Sequence, residues 1–156
     1  MTLEKIVSGG QTGVDRGALD AALAAAFPCG GWCPEGREAE DGRIPDRYPV
    51  SVLPGADYVK RTRQNVIDSD ATLVIHFGEL TGGTLMTVEF CERYGKRVLV
   101  LDGNVESPNV AASKAAAFVR SNKIRTLNVA GPRESGHAGA RAYAERVIGS
   151  LLRNPE

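Results

Sequence analysis

The chain has few of the features that mark a membrane-spanning, secreted or nucleic-acid-binding protein. It carries 19 Lys and Arg against 19 Asp and Glu, so no net charge attracts nucleic acid or an anionic membrane. Its apolar runs are too short to span a bilayer, and residues 2–5 do not begin like a signal peptide. These absences predict a cytoplasmic protein that binds neither nucleic acid nor membrane.

Cysteine and histidine are also scarce. The three cysteines are an odd and sparse set, which is typical of reduced thiols. Zinc would need a fourth ligand, and His76 and His137 lie in separate segments without ligand spacing. We therefore predict no metal site.

The most informative stretch is 6–27, where a short apolar run ends in three glycines and a helix begins. Leu19 and Leu23 then recur at helical spacing, which predicts one buried stripe. Glycines allow a sharp turn and a close ligand, and the N–H groups of a helix start favour an anion such as phosphate. The triphosphate-binding pattern is absent because no lysine follows Gly13, and Ser8 replaces the first glycine of the dinucleotide pattern. The turn predicts an anion near a helix start, and a tight turn without a ligand is the alternative.

The rest of the chain alternates strands and helices. This predicts a single α/β domain over residues 1–156, with a mostly parallel sheet and helices on both faces. Asp57 is placed to cap a helix that ends at Asp68, and Ser107 to cap a later one. Residues 34–55 look irregular and carry charges of both signs, so they form either a lid over a site or a solvated insertion.

Two further glycine turns follow predicted strands. The strand at 71–77 leads to Gly82, Gly83 and Thr84 at a helix start, and the strand at 124–130 leads to a turn at 131–136. The carboxyl ends of parallel strands meet at one edge of a sheet, where open α/β sheets bind ligands. We therefore expect a ligand crevice between these turns and the one at 9–13.

Four sequence blocks go beyond general folding rules. They are Gly9-Gly10-Gln11-Thr12-Gly13-Val14-Asp15, Gly31-Trp32-Cys33-Pro34-Glu35-Gly36-Arg37 with Ala39-Glu40-Asp41-Gly42, Arg61-Thr62 with Asn65-Val66 and Ser69-Asp70-Ala71-Thr72-Leu73, and Gly82-Gly83-Thr84. In this order and spacing the chain resembles the molybdenum-cofactor carrier proteins, Rossmann-like relatives of the cytokinin-activating phosphoribohydrolases that are often misnamed lysine decarboxylases. The resemblance covers essentially the whole chain.

The resemblance implies a Rossmann-like, homo-oligomeric binding protein, a dimer or tetramer. It would hold the molybdenum cofactor, or another pterin or nucleotide phosphate, without chemistry, and molybdoenzymes would be further partners. The alternative is a phosphoribohydrolase-type enzyme that cleaves an N-glycosidic bond, with Glu89 as acid or base and Arg61 on the phosphate. The enzyme motif P-G-G-x-G-T-x-x-E is matched at Gly82, Gly83 and Glu89, but Thr81, Leu85 and Met86 depart from it. These departures favour the carrier, for which we predict no catalytic residue.

The predicted ligand-binding residues offer turn donors or anion-matching side chains. They are Gly9, Gly10, Gln11, Thr12, Gly13, Asp15, Arg61, Asn65, Gly82, Gly83 and Thr84. Gln11 and Thr12 either donate to a phosphate or cap a helix, and Asp15 either holds a ribose or pterin amine or caps the first helix. Arg61 is favoured as the anion clamp because a guanidinium matches phosphate and molybdate oxygens.

Overall fold

The structure is a computed structural model that describes residues 2–153. Residue 1 and residues 154–156 of the predicted domain lie outside that range. Within it the strands are β1 (Lys5–Val7), β2 (Cys29–Gly30), β3 (Trp32–Cys33), β4 (Glu38–Ala39), β5 (Gly42–Arg43), β6 (Ser51–Val52), β7 (Ala71–His76), β8 (Arg97–Asp102) and β9 (Thr126–Ala130). The α-helices are α1 (Val14–Ala24), α2 (Tyr58–Ile67), α3 (Gly82–Arg93), α4 (Pro108–Ser121) and α5 (Ala140–Arg153), and a short 3₁₀ helix spans Glu35–Arg37.

The central sheet has five parallel strands in the order β2-β1-β9-β7-β8. The last strand of the chain is inserted between β1 and β7, with Leu127 opposite both Ile6 and Ala71. This order brings the segments that follow β1, β7 and β9 side by side at the carboxyl edge. The predicted α/β fold with a mostly parallel sheet is confirmed.

Helices cover the two faces of the sheet unequally. The main apolar core lies where α1, α4 and α5 pack on one face, and its members include Ile6, Leu73 and Leu127. The face under α2 and α3 holds only a small apolar cluster of Val66, Phe90 and Cys91. This thinner layer leaves room for a cavity.

Local signals placed most helices correctly. The Asp57 side chain accepts a hydrogen bond from the Lys60 N–H at 2.9 Å, and the Ser107 hydroxyl accepts one from the Val110 N–H at 3.3 Å. The two predicted caps are therefore confirmed. Leu23 was wrongly predicted to be buried: it is 39% exposed, because α1 turns the neighbouring alanines into the core instead.

The 34–55 segment, which the sequence predicts to be irregular, contains only short regular elements. β4 and β5 form a small hairpin within it, and β6 pairs with β3. The Arg37 guanidinium holds the segment together by donating to the backbone carbonyls of Ile44, Pro45, Tyr48 and Val50. A second apolar cluster of Leu19, Cys33, Ile44, Tyr48 and Val50 anchors it to the body of the protein. One arginine that satisfies four carbonyls replaces regular secondary structure here, and sequence periodicity cannot reveal it.

Candidate functional site

A half-open cavity of about 290 Å³ lies at the carboxyl edge of the sheet, under α2 and the start of α3. Segments that follow β1, β7 and β9 line it, so it lies where the sequence predicts the crevice. Seven of the predicted binding residues line it: Gly9, Gln11, Asp15, Arg61, Asn65, Gly83 and Thr84. Their ligand-binding role stays a prediction, but the fold brings them together around one space.

The other four predicted residues do not line this cavity. The Thr12 hydroxyl is hydrogen-bonded to the Glu40 carboxylate and accepts from the Glu134 N–H at 3.2 Å. Gly10 packs against Ile44, and Gly13 lies so close to the 131–136 turn that a side chain would strike its backbone. Gly82 opens α3 beside the cavity. In the structure, Gly10, Thr12 and Gly13 hold the 34–55 segment and the 131–136 turn in place.

Internal partners occupy several N–H groups at the start of α1. The Val14 N–H donates to the Pro132 carbonyl at 3.1 Å, and the Arg16 N–H donates to the Gln11 carbonyl at 3.1 Å. Within the described residues no side chain caps either helix, but the start of α3 differs because its Thr81, Gly83 and Thr84 line the cavity. The N–H groups best placed for an anion are therefore those of α3.

Gln11 has one end of its amide fixed and the other end unpaired. Its Oε1 accepts from the Thr12 N–H at 3.0 Å and from the Glu40 N–H at 2.9 Å. Two backbone donors therefore set the orientation of the amide. Its Nε2 is buried and makes no hydrogen bond within residues 2–153, although the side chain lines the cavity and is only 6% exposed.

The Arg61 guanidinium lies against Gly9, where any Cβ would overlap its Nη1 and Cζ atoms. Its side chain is only 12% exposed, and its Nη1 lies 3.5 Å from the Asp15 carboxylate. Its Nε is buried without a partner among the described residues. The Tyr58 ring contacts two guanidinium groups: the Cζ atoms of Arg61 and Arg133 lie 5.7 and 5.6 Å from the ring centroid. Two cationic side chains therefore flank one aromatic ring at this cavity.

Asp15 is the acidic counterpart of this pair. Its carboxylate accepts from the Gln11 N–H at 3.2 Å. Burial raises the pKa of Asp15 above its ordinary value, and the charge of Arg61 only partly opposes this. Asp15 lies in the first turn of α1, whereas Gly13 is the N-cap residue, so the capping interpretation of Asp15 is wrong.

Asn65 and the Trp32–Cys33 strand have structural roles. The Asn65 amide accepts from the Trp32 N–H at 2.8 Å and donates to the Trp32 carbonyl at 3.0 Å, which ties α2 to β3. The Trp32 ring donates to Asp68 at 2.8 Å. Cys33 is fully buried outside the cavity lining, and burial raises the pKa of its thiol. The Cys33 thiol therefore does not line this site.

Several lining residues were not among the predicted site residues. They are Tyr58, Thr62, Thr81, Met86, Thr87, Asn128, Val129, Ala130, Gly131, Pro132, Arg133 and Gly136. One usable signal existed for Asn128, which is an uncharged polar residue in the middle of an apolar strand. Arg133 lies in the third glycine turn, which the sequence places at the crevice. Nothing in the sequence distinguishes it from the other residues of that turn as a site residue.

Glu89, the acid of the enzymatic alternative, is exposed on α3 and does not line the cavity. Asp15 is the carboxylate that lines it within residues 2–153. The alternative is therefore not favoured by the geometry. In the same range no three His, Cys, Asp or Glu side chains gather as a metal site, and none of the helices is long and apolar enough to cross a membrane.

Comparison with known proteins assigns this fold to a family. The model of the Circularly permutated YpsA SLOG family matches residues 6–152. A crystal structure from Syntrophus aciditrophicus SB, described as that of a candidate molybdenum carrier protein, is 42% identical with a TM-score of 0.93. The match covers 97% of this chain and 96% of that one. No curated protein matches the chain.

Proposed function

Because the chain belongs to the Circularly permutated YpsA SLOG family, we propose that it is a carrier that binds the molybdenum cofactor through the phosphate of its pterin. The name of the Syntrophus aciditrophicus relative supports a molybdenum-related ligand. The cavity under α2 and α3 is the binding site in this proposal, with Arg61 and Gln11 as its anion-binding side chains.

The observation that carries the proposal is the pair of unpartnered buried donors, Gln11 Nε2 and Arg61 Nε. A buried donor without an acceptor costs about 1–3 kcal/mol, so two of them at one cavity favour a ligand rich in acceptor oxygens. Phosphate and molybdate both meet this requirement. The uncapped N–H groups of α3 add donors to the same space.

The size and charge of the cavity agree with such a ligand. Small-molecule sites commonly span about 300–1,000 Å³, and this cavity of about 290 Å³ is open on one side. Its charged lining is Arg61, Arg133 and Asp15, so positive charge exceeds negative charge. A dimer or tetramer and transfer of the cofactor to molybdoenzymes belong to the same proposal.

The test replaces the donor of Gln11 while keeping its acceptor. In Gln11→Glu one carboxylate oxygen can still accept from the Thr12 and Glu40 N–H groups, but the other replaces Nε2 with negative charge. We expect this variant to keep its fold by circular dichroism and to lose binding of phosphate and molybdate in calorimetry. The control is Asn109→Asp, the same change from amide to acid at an exposed position of α4 outside the cavity lining.

A native mass spectrum of the protein purified anaerobically from its own host tests the identity of the ligand. We expect a bound species with the isotope pattern of molybdenum and a pterin that fluoresces after oxidation. Protein that carries neither, and binds neither phosphate nor molybdate, would refute the proposed function.

A further inference from the structure

The uncharged part of the cavity lining, around Asn128 on β9, contains one hydrogen-bond acceptor that a bound phosphate would not use. β9 directs Leu127 and Val129 into the main core, so Asn128 between them faces the cavity side of the sheet. Asn128 is only 3% exposed. An amide is costly to bury in the middle of a central strand unless both of its ends have partners.

A hydrogen bond to the neighbouring strand sets the orientation of the Asn128 amide. Its Nδ2 donates to the Thr72 hydroxyl on β7 at 3.2 Å. With its nitrogen held towards Thr72, the amide has an oxygen, Oδ1, that makes no hydrogen bond within residues 2–153.

Two other neutral polar side chains of the cavity lining are already used. The Thr87 hydroxyl donates to the Gly83 carbonyl of its own helix at 2.9 Å, and the Asn65 amide is bonded to the Trp32 backbone. Met86 and Ala130 supply apolar surface beside Asn128. Apolar surface beside one unpaired acceptor suits a flat ring with a few N–H donors better than a sugar, whose several hydroxyl groups would each need a partner.

We propose that Asn128 selects the ring of the ligand by accepting a hydrogen bond from a ring N–H, with Thr72 as the positioning residue. This inference rests on the proposed function and deepens it. The ligand class is a phosphorylated heterocycle with a lactam or amino-pyrimidine edge, and neither a free oxyanion nor a sugar phosphate fulfils both halves of the site. The phosphate end binds at Arg61 and Gln11, and the ring lies over β9.

The experiment measures by calorimetry the affinities of three probes: a pterin monophosphate, ribose 5-phosphate and inorganic phosphate. We expect the parent protein to bind the pterin monophosphate at least tenfold more tightly than the other two. Asn128→Leu, which keeps the side-chain volume, removes this preference and leaves phosphate affinity within twofold. Thr72→Val, which cannot touch the ligand, reduces the preference severalfold, and the control Thr126→Val, on the same strand as Asn128 but outside the cavity lining, leaves it unchanged.

Three results would overturn the inference. Ribose 5-phosphate that binds the parent as tightly as the pterin monophosphate removes the ring preference. Asn128→Leu that weakens all three probes equally assigns the residue a structural role. If Asn128→Leu does not fold, an unchanged preference in Thr72→Val is decisive against it. A parent protein that binds none of the three probes, nor molybdate, instead refutes the proposed function itself.

Discussion

The contact between Arg61 and Gly9 gives the sharpest test of the anion site. In Gly9→Ala the new methyl group would occupy the place of the Arg61 guanidinium, with Nε only 3.0 Å away and Nη1 and Cζ closer. Gly9 does not have a positive φ, so alanine strains no backbone there. The substitution should therefore displace the guanidinium without removing its charge from the protein.

The expected size of the effect follows from hydrogen bonds to a charged group. Such a bond contributes about 1.5–3 kcal/mol, and ~1.4 kcal/mol is a factor of ten in affinity. Arg61→Ala should therefore weaken phosphate or molybdate binding about ten- to a hundredfold. Gly9→Ala should approach the same loss.

A double-mutant cycle measured by isothermal titration calorimetry separates displacement from direct obstruction. If the methyl group acts only through the guanidinium, Gly9→Ala has almost no further effect in the Arg61→Ala background. The matched control is Arg63→Ala, which removes an arginine of the same helix that does not line the cavity. Additive losses in the double variant, or full affinity in Gly9→Ala, would refute the assignment of the guanidinium as the clamp.

Three other predictions concern the carboxylates. Burial raises the pKa of Asp15, so lowering the pH through that pKa should neutralise the carboxyl and tighten the binding of sulfate, which does not titrate there. In Asp15→Asn the sulfate affinity measured by calorimetry should not depend on pH, and a pH-dependent affinity in that variant would point to another group. Glu40 joins the β4–β5 hairpin to Thr12 and Ser135, so Glu40→Ala should speed amide hydrogen exchange in 38–43 and 131–136. Ligand binding should slow exchange across 34–55. Exchange rates that are equal in parent and variant, or with and without ligand, would contradict this coupling. Glu89→Gln should leave pterin binding within a few fold, and release of free base from a nucleoside monophosphate by the parent, lost in this variant, would overturn the carrier proposal.

Tertiary contacts decided which predicted residues face the cavity. Thr12 and Gln11 are neighbours in a glycine turn and looked equivalent from the sequence. The structure directs Thr12 to Glu40, 28 residues away, and leaves the Gln11 Nε2 atom without a partner. No local pattern encodes such a pairing, because the hairpin that supplies Glu40 depends on Arg37 and its four carbonyl partners.

The sequence by itself determined the alternation of strands and helices, the caps at Asp57 and Ser107 and the edge of the sheet that forms the crevice. These features follow from periodicity and from hydrogen bonds between residues three positions apart, which are local properties. Only the tertiary structure placed Arg61 on Gly9 and turned Asn128 towards the cavity. Both depend on which strands and helices become neighbours, and the order β2-β1-β9-β7-β8 is set by packing over the whole chain.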